Sequence, residues 1–521
     1  MKNLFAVFIT FFFLQSSYAQ ITHVSGVMAS DTIWDSDSIQ ITDEFIVPNG
    51  LTLTINPGCV ILGNIGKGIY VRGTLLALGE ENNKITFTAS DTSGFYGPDS
   101  LFKGWGGIYF DLIADSNDSS IVDHVEMSFG KAFGNTVLEQ SGGAILIFDT
   151  RKIRISNSRF HSSKAQRIGG GIAIYFESRA LVYNNLIENN YSLESAGGIY
   201  CGYTSAVWLL NNRIIKNTAY QVNSDGSYAG SGGGVYIISE TTKSYIINNL
   251  IANNYATTGA GMYDLTFDIL TAGNIMVNNQ GKKGGIVMSS PLSAGVFINN
   301  TVYNNIGVGV QYASDEVKFI NNIVRNNYDD FLEHELNFSG NPVFPGIFEH
   351  NNVELGKSYE TFIDEEPLFV NPSAGKGIAY PGYEANWSLK YGDPNIDQGT
   401  LDGIDDLLPK MDYYNNLRVL NDLVDIGAVE FDILLNSKDL ASSRDLKVYP
   451  NPFHSQFVIA DFSDIHKGLT FEIYNVKGVL MVSFSDPLKV PDLSNLAVGN
   501  YYLVCISTNG EILGRALIVK N

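Results

Sequence analysis

Residues 197–220 read GGIYCGYTSAVWLLNNRIIKNTAY. Short apolar runs alternate with Gly, with Thr-Ser and with Asn pairs, and no run has the length or 3.6-residue period of a helix. The stretch is one member of a series. Asn after an apolar residue opens similar segments at Asn157, Asn184, Asn211, Asn248, Asn274, Asn299 and Asn321, with a mean spacing of about 27 residues. A second Asn group follows most of these by about five residues, as at Asn189-Asn190, Asn217, Asn253-Asn254 and Asn278-Asn279. Gly-rich strand starts lie between them: GGGIAIYF (169–176), GGGVYII (232–238), GAGMYDL (259–265), GGIVM (284–288) and GVGVQY (307–312). Strand triplets of this size cannot bury their own apolar face, so each must stack on the next copy. Equivalent strands then pair one turn apart. The expected architecture is all-β: three parallel sheets wound into a solenoid. Asn and Gly fall where the chain turns sharply, because both tolerate a left-handed backbone.

Composition agrees. The chain has 521 residues, 49 of them Asn and 52 Gly, with 45% hydrophobic and 17% charged. That is too apolar for a disordered chain. The net charge of −21 argues against a nucleic-acid partner, which needs a basic face. Cys59, Cys201 and Cys505 are too few and too scattered for a disulfide framework or a zinc site, and are expected to be buried thiols.

The repeats resemble the right-handed parallel β-helix of the pectate-lyase-like superfamily. GLTLTINPGCVILG (50–63), YVRGTLLALGEENNKITFTAS (70–90) and WGGIYF (105–110) look like the opening turns of secreted bacterial β-helices. The likeness spans roughly residues 40–435 of an expected β-helix domain at 20–435, with the helix itself expected to stop near residue 330. Residues 331–435 form the closing segment. There, Asp393-Pro394, Ile396-Asp397, Gly399, Asp412, Arg418, Asp425-Ile426-Gly427-Ala428 and Glu430 resemble the end of the choice-of-anchor Q family. This fold carries lyases, hydrolases, adhesins and plain spacers, so it does not decide activity.

The two ends of the chain are different in kind. Residues 1–19 read as a signal peptide: Lys2, an apolar run from Leu4 to Leu14, and small residues at Ser17 and Ala19. After a polar linker (436–445), residues 446–521 alternate apolar and polar residues between Lys-Gly and Asn-Gly turns, the pattern of a small antiparallel β-sandwich. Tyr449-Pro450-Asn451-Pro452, the turn at Gly478, Gly499 with Tyr501, and Lys520 make this segment similar to the type A C-terminal sorting domain of the type IX secretion system of Bacteroidota. The resemblance implies the secretion and sorting machinery as a partner. It also implies a product that is secreted or attached to the outer-membrane surface.

Period-two alternation assigns faces on the Gly-initiated strands. With Ile108, Ile172, Ile199, Val235, Met262 and Ile286 inward, Tyr109, Ala173, Tyr200, Tyr236, Tyr263 and Val287 point outward. Tyr200, Tyr236 and Tyr263 on consecutive turns form a stripe that can stack on sugar rings or simply stabilise the sheet. An insertion at 219–231 adjoins it. Beyond the strands, Asp149 with Lys152 and Glu177 with Arg179 are the candidates for a calcium-dependent polysaccharide lyase, which needs carboxylates to hold Ca²⁺ and a basic side chain. Asp402, Asp405, Asp406 and Asp412, in an acid-rich stretch, are candidate Ca²⁺ ligands. The preferred reading is a monomeric, non-catalytic surface or secreted β-helix that binds polysaccharide or matrix. The alternatives are a lyase on acidic glycan and a spacer.

Overall fold

The computed structural model describes residues 21–96, 103–239, 241–266, 268–289, 295–312, 317–327, 336–338, 347–354, 361–420, 422–431, 444–460, 469–475, 480–486, 489–506 and 512–521. The expected signal, most of the linker and Gly478 fall outside these residues.

Among the described residues, twelve parallel strands from Thr32–Trp34 to Ile347–Glu349 stack as a first sheet. A second column runs from Val60–Gly63 through Leu186–Glu188 and Arg213–Ile215 to Asn352–Val353. The third runs from Ile69–Val71 through Ile172–Tyr175 and Ile199–Gly202 to Leu336–Phe338. Strand Ser38–Val47 pairs with the starts of both, joining the second and third columns. The β-helix therefore continues to Val353, past the expected end near residue 330. The added coil carries its own Asn pair, Asn351-Asn352.

The interior consists of in-register apolar stacks. Ile155, Val182, Leu209 and Ile246 form one, and Ile147, Ile174, Cys201 and Ile237 another, all fully buried. The three cysteines are buried free thiols. The face assignment holds for Ile108, Ile172, Ile199, Val235 and Met262 but fails at the next turn. Val287, not Ile286, takes the register position of Met262 and is buried. Against the following coil the strand Gln280–Ser289 carries a register shift between Gln280 and Gly285, an irregularity that reading the Gly pair alone does not predict.

Each Asn pair divides its labour. The first Asn holds the left-handed backbone: φ is 54° at Asn184, 56° at Asn211 and 53° at Asn248. The second is buried and forms a ladder. Asn212 Oδ1 accepts from Asn185 N and Nδ2, both at 3.0 Å, while its Nδ2 donates to Val182 O at 2.8 Å. The ladder runs Asn185, Asn212, Asn249, Asn274, Asn300, Asn322, Asn351. A parallel one runs Asn190, Asn217, Asn254, Asn279, Asn305, Asn327.

The closing segment is a strap along the outside of the second sheet. The outward Asn of later coils hold its backbone: Asn248 Nδ2 donates to Met411 O (2.8 Å), Asn253 to Tyr380 O (2.7 Å), Asn299 to Asp425 O (2.9 Å) and Asn321 to Thr400 O (2.8 Å). Phe369, Trp387, Leu389 and Ile426 pack on Ile215, Leu250, Ile275 and Tyr303. Among its described residues the C-terminal unit has a five-stranded sheet and a two-stranded sheet, Lys447–Tyr449 with Val458–Ala460, around a separate core of Phe453, Phe471, Ile473 and Leu503. Tyr391 of the strap touches it, donating to Glu472 at 2.6 Å.

Candidate functional site

The third sheet and the corner after it carry the aromatic surface. Register places Tyr70, Tyr109, Leu146, Ala173, Tyr200, Tyr236 and Tyr263 in one outward column. Tyr200 stacks on Tyr236 at 5.4 Å between centroids and Tyr236 on Tyr263 at 5.0 Å, with rings 15° and 14° from parallel. Tyr200 is only 5% exposed, however, under Leu146, Ile168 and Ala196, in space that a side chain at Gly202 would fill. Tyr236 and Tyr263 are half-buried. Burial pushes the Tyr236 phenol up to about 12, with Tyr263 adding to the shift.

Two residues further along these strands a second outward column begins with Phe148 and Tyr175, whose rings lie 6.3 Å apart. Phe176 stacks on Phe148 at 5.4 Å, and Tyr203 meets Tyr175 at 4.6 Å. Phe176 and Tyr203 remain 43% and 56% exposed. Both have left-handed backbones, φ 55° each. A bulky residue costs about 1–3 kcal/mol in that region, and the other two corners avoid the cost largely by using Asn. Aromatic side chains held there in the open are the residues that reading alternation alone did not identify. The signal was present in YFES (175–178) and GYTS (202–205), where an aromatic replaces Asn at the break.

An open groove of about 790 Å³ lies close by, lined by Asp115, Arg151, Lys152, Glu177 and Arg179 among others. It gathers Lys152, Glu177 and Arg179 and leaves Asp149 outside its lining. The acids pair across coils rather than with their sequence neighbours. Arg151 bonds Glu177 at 2.7 Å and reaches Asp115 at 3.5 Å, and Lys152 Nζ donates to the carbonyls of Asp115 and Asn117.

The acidic candidates of the strap do not converge. Asp402, Asp405 and Asp406 are exposed, while Asp412 is buried and accepts from Asn416 N (2.8 Å), Asn416 Nδ2 (2.9 Å) and Glu430 N (2.9 Å). Asp412 thus shapes a turn. Around it, Arg418 is wholly buried, with Nη1 on Glu430 (2.9 Å) and Nη2 on Ala428 O (2.7 Å). Asp425 accepts from Asp397 N and Phe431 N. Burial pushes the Asp425 carboxyl up to about 7, against those hydrogen bonds, and raises Glu430 through burial and then the nearby Asp425.

In the C-terminal unit, Asn451 Nδ2 donates to Leu517 O (2.7 Å) and its Oδ1 accepts from Val519 N (2.8 Å). Pro450 and Pro452 both follow cis peptide bonds. Gly499 pairs with Lys520, and Tyr501 donates to Ala497 O (2.8 Å). Tyr449 is exposed.

The comparisons follow these divisions. Residues 113–263 match the family described as right handed beta helix region, and residues 447–520 match the secretion system C-terminal sorting domain. The search of curated proteins finds no match. Among solved structures, the crystal structure of pectate lyase Pel9A is similar at 15% identity and a TM-score of 0.35, covering 72% of this chain and 89% of that one. With one domain winding the right-handed solenoid and the other addressing it to the type IX system, the chain is a β-helix protein exported across the outer membrane, to the cell surface or beyond it.

Proposed function

We propose that this protein is a non-catalytic glycan- or matrix-binding β-helix, and that its binding face is the third sheet with its aromatic corner. The observation that carries the reading is the exposure of Phe176 and Tyr203 on left-handed backbone, backed by Phe148 and Tyr175. Flat aromatic faces on a rigid repeat suit sugar rings, which present apolar C–H faces at regular intervals. Tyr236 and Tyr263 extend the surface along the solenoid axis.

The groove at Lys152, Glu177 and Arg179 is what favours the lyase alternative. Glu177 is held by Arg151 and Lys152 by backbone carbonyls, so both would have to be released before acting on a substrate. The strap supports the choice-of-anchor Q resemblance: Asp397, Asp412, Arg418, Asp425 and Glu430, residues quoted for it, meet in one hydrogen-bonded cluster.

The test is retention of the full chain on immobilised polysaccharides and matrix preparations, with and without Ca²⁺, while unsaturated products and reducing ends are followed. Retention without turnover is expected, weakened about tenfold by Tyr203→Ala. Turnover lost in Glu177→Gln would replace this reading by the lyase. No retention on any material would leave a spacer.

A further inference from the structure

The outward tyrosine column begins in a cavity. Tyr70 and Tyr109, 5.4 Å apart and edge to face, form part of the lining of a space of about 440 Å³. Leu146, Lys103, Lys131 and Glu139 complete the part of the lining that carries its chemistry. The volume lies within the ~300–1,000 Å³ of small-ligand sites. The segment after Lys131, residues 133–141, forms one wall through Phe133, Thr136, Leu138, Glu139 and Ser141. Among the described residues Glu139 is the lining's one carboxylate, and it is held within that wall, accepting from Asn135 N (2.7 Å) and Thr136 N (3.1 Å).

Lys131 is the uncompensated group. It pairs in register with Lys164 on the next coil, so two ammonium groups occupy the cross-strand positions where like charges repel. Neither has a carboxylate partner among the described residues. Lys131 Nζ lies 5.5 Å over the Phe95 ring, and Lys164 Nζ lies 4.9 Å over both Phe95 and Tyr96 and donates to Phe95 O. Lys103 makes a long contact to Asp91, 3.7 Å. Burial, and then Lys164, brings the Lys131 amine down to about 8. A chain of net charge −21 has acids to spare, yet none among the described residues forms an ion pair with either lysine. An anion brought by a ligand would relieve both the repulsion and the desolvation.

We propose that the cavity between Tyr70, Tyr109 and Lys131 is a subsite for an anionic sugar residue, its ring against the tyrosines and its carboxylate or sulfate on Lys131. The subsite deepens the glycan-binding reading and rests on it. It lies at the N-terminal end of the column that leads through Leu146 and Ala173 to Tyr200.

Calorimetric titration of the full chain with galactose, galacturonate and galactose 6-sulfate tests it, the two acids separating carboxylate from sulfate. At least one acid should bind about tenfold or more tightly than galactose, with affinity falling as salt rises. Lys131→Met should abolish that preference without lowering the thermal unfolding midpoint, since it also removes the repulsion with Lys164. Lys164→Met should reduce the preference without emptying the cavity. Equal binding of the three sugars, no binding of any, or a preference that survives Lys131→Met would overturn the proposal. Retention on neutral polysaccharide that depends on Tyr203 but shows no acid preference would remove this subsite alone and leave the binding face intact.

Discussion

Asn performs two unlike tasks in neighbouring positions. Asn184 supplies a left-handed corner and is exposed; Asn212 is buried, and its amide satisfies groups on both adjoining coils. Truncating Asn212 removes the side-chain acceptor of Asn185 N–H, one of the two acceptors of Asn185 Nδ2 (Ile155 O remains) and the side-chain donor to Val182 O. Asn212→Ala should therefore cost about 2–4 kcal/mol in urea unfolding. Asn184→Gly, which keeps the corner, should cost about 1 kcal/mol or less. The periodic excess of Asn was legible in the sequence as corners. Which Asn of each pair turned inward was not, because adjacent identical residues carry no mark of facing. Tyr200 teaches the same limit. Alternation placed it outward correctly, but its cover comes from Ile168 and Ala196, which lie elsewhere on the coils and outside the strand pattern.

The strap is the element that sequence described least. Its residues stood out as an acid-rich cluster, and Asp402 to Asp412 were read as a possible metal set. In the fold, several of the acids beyond them bond backbone N–H groups inside the strap, and the strap's own carbonyls accept from outward Asn of the β-helix. Carbonyl acceptors leave no trace in side-chain identity, so the covered face could not be read. The coil at Asn351-Asn352 was readable as a further repeat, since the pair recurs 29 residues after Asn322.

The buried acids also give the strap a pH dependence. Asp425, near 7, and Glu430, Asp393 and Asp397 are all raised, chiefly by burial. A folded pKa above the unfolded value means the folded state holds more protons between the two. The resulting stability is complete below about pH 4 and is lost as pH rises through about 7, at roughly 1.4 kcal/mol per unit for each group still titrating. Hydrogen exchange of residues 393–431 should accordingly speed up between pH 5 and 8, beyond the intrinsic rate. Asp425→Asn should flatten that dependence.

At the level of the whole molecule, a rigid solenoid is carried outward by a separate sorting domain. The sorting motif was legible because its residues act locally: Asn451, Gly499, Tyr501 and Lys520 all bond within the small C-terminal unit. Charge is divided in the same way. Residues 447–521 contain six basic and six acidic residues, so the acidic surplus belongs to the β-helix and its strap. On that acidic body, the aromatic corner and the Lys131 cavity lie on one sheet, and no part of the strap described above covers them.

Hydroxyl-radical footprinting of the full chain, with and without a retained glycan, locates the contact directly, because aromatic side chains report their own exposure. Protection should fall on Phe148, Tyr175, Phe176 and Tyr203, and extend to Tyr236 and Tyr263. Protection confined to the strap or to the sorting domain, with Phe176 and Tyr203 as reactive as in the free protein, would contradict the assignment of the binding face.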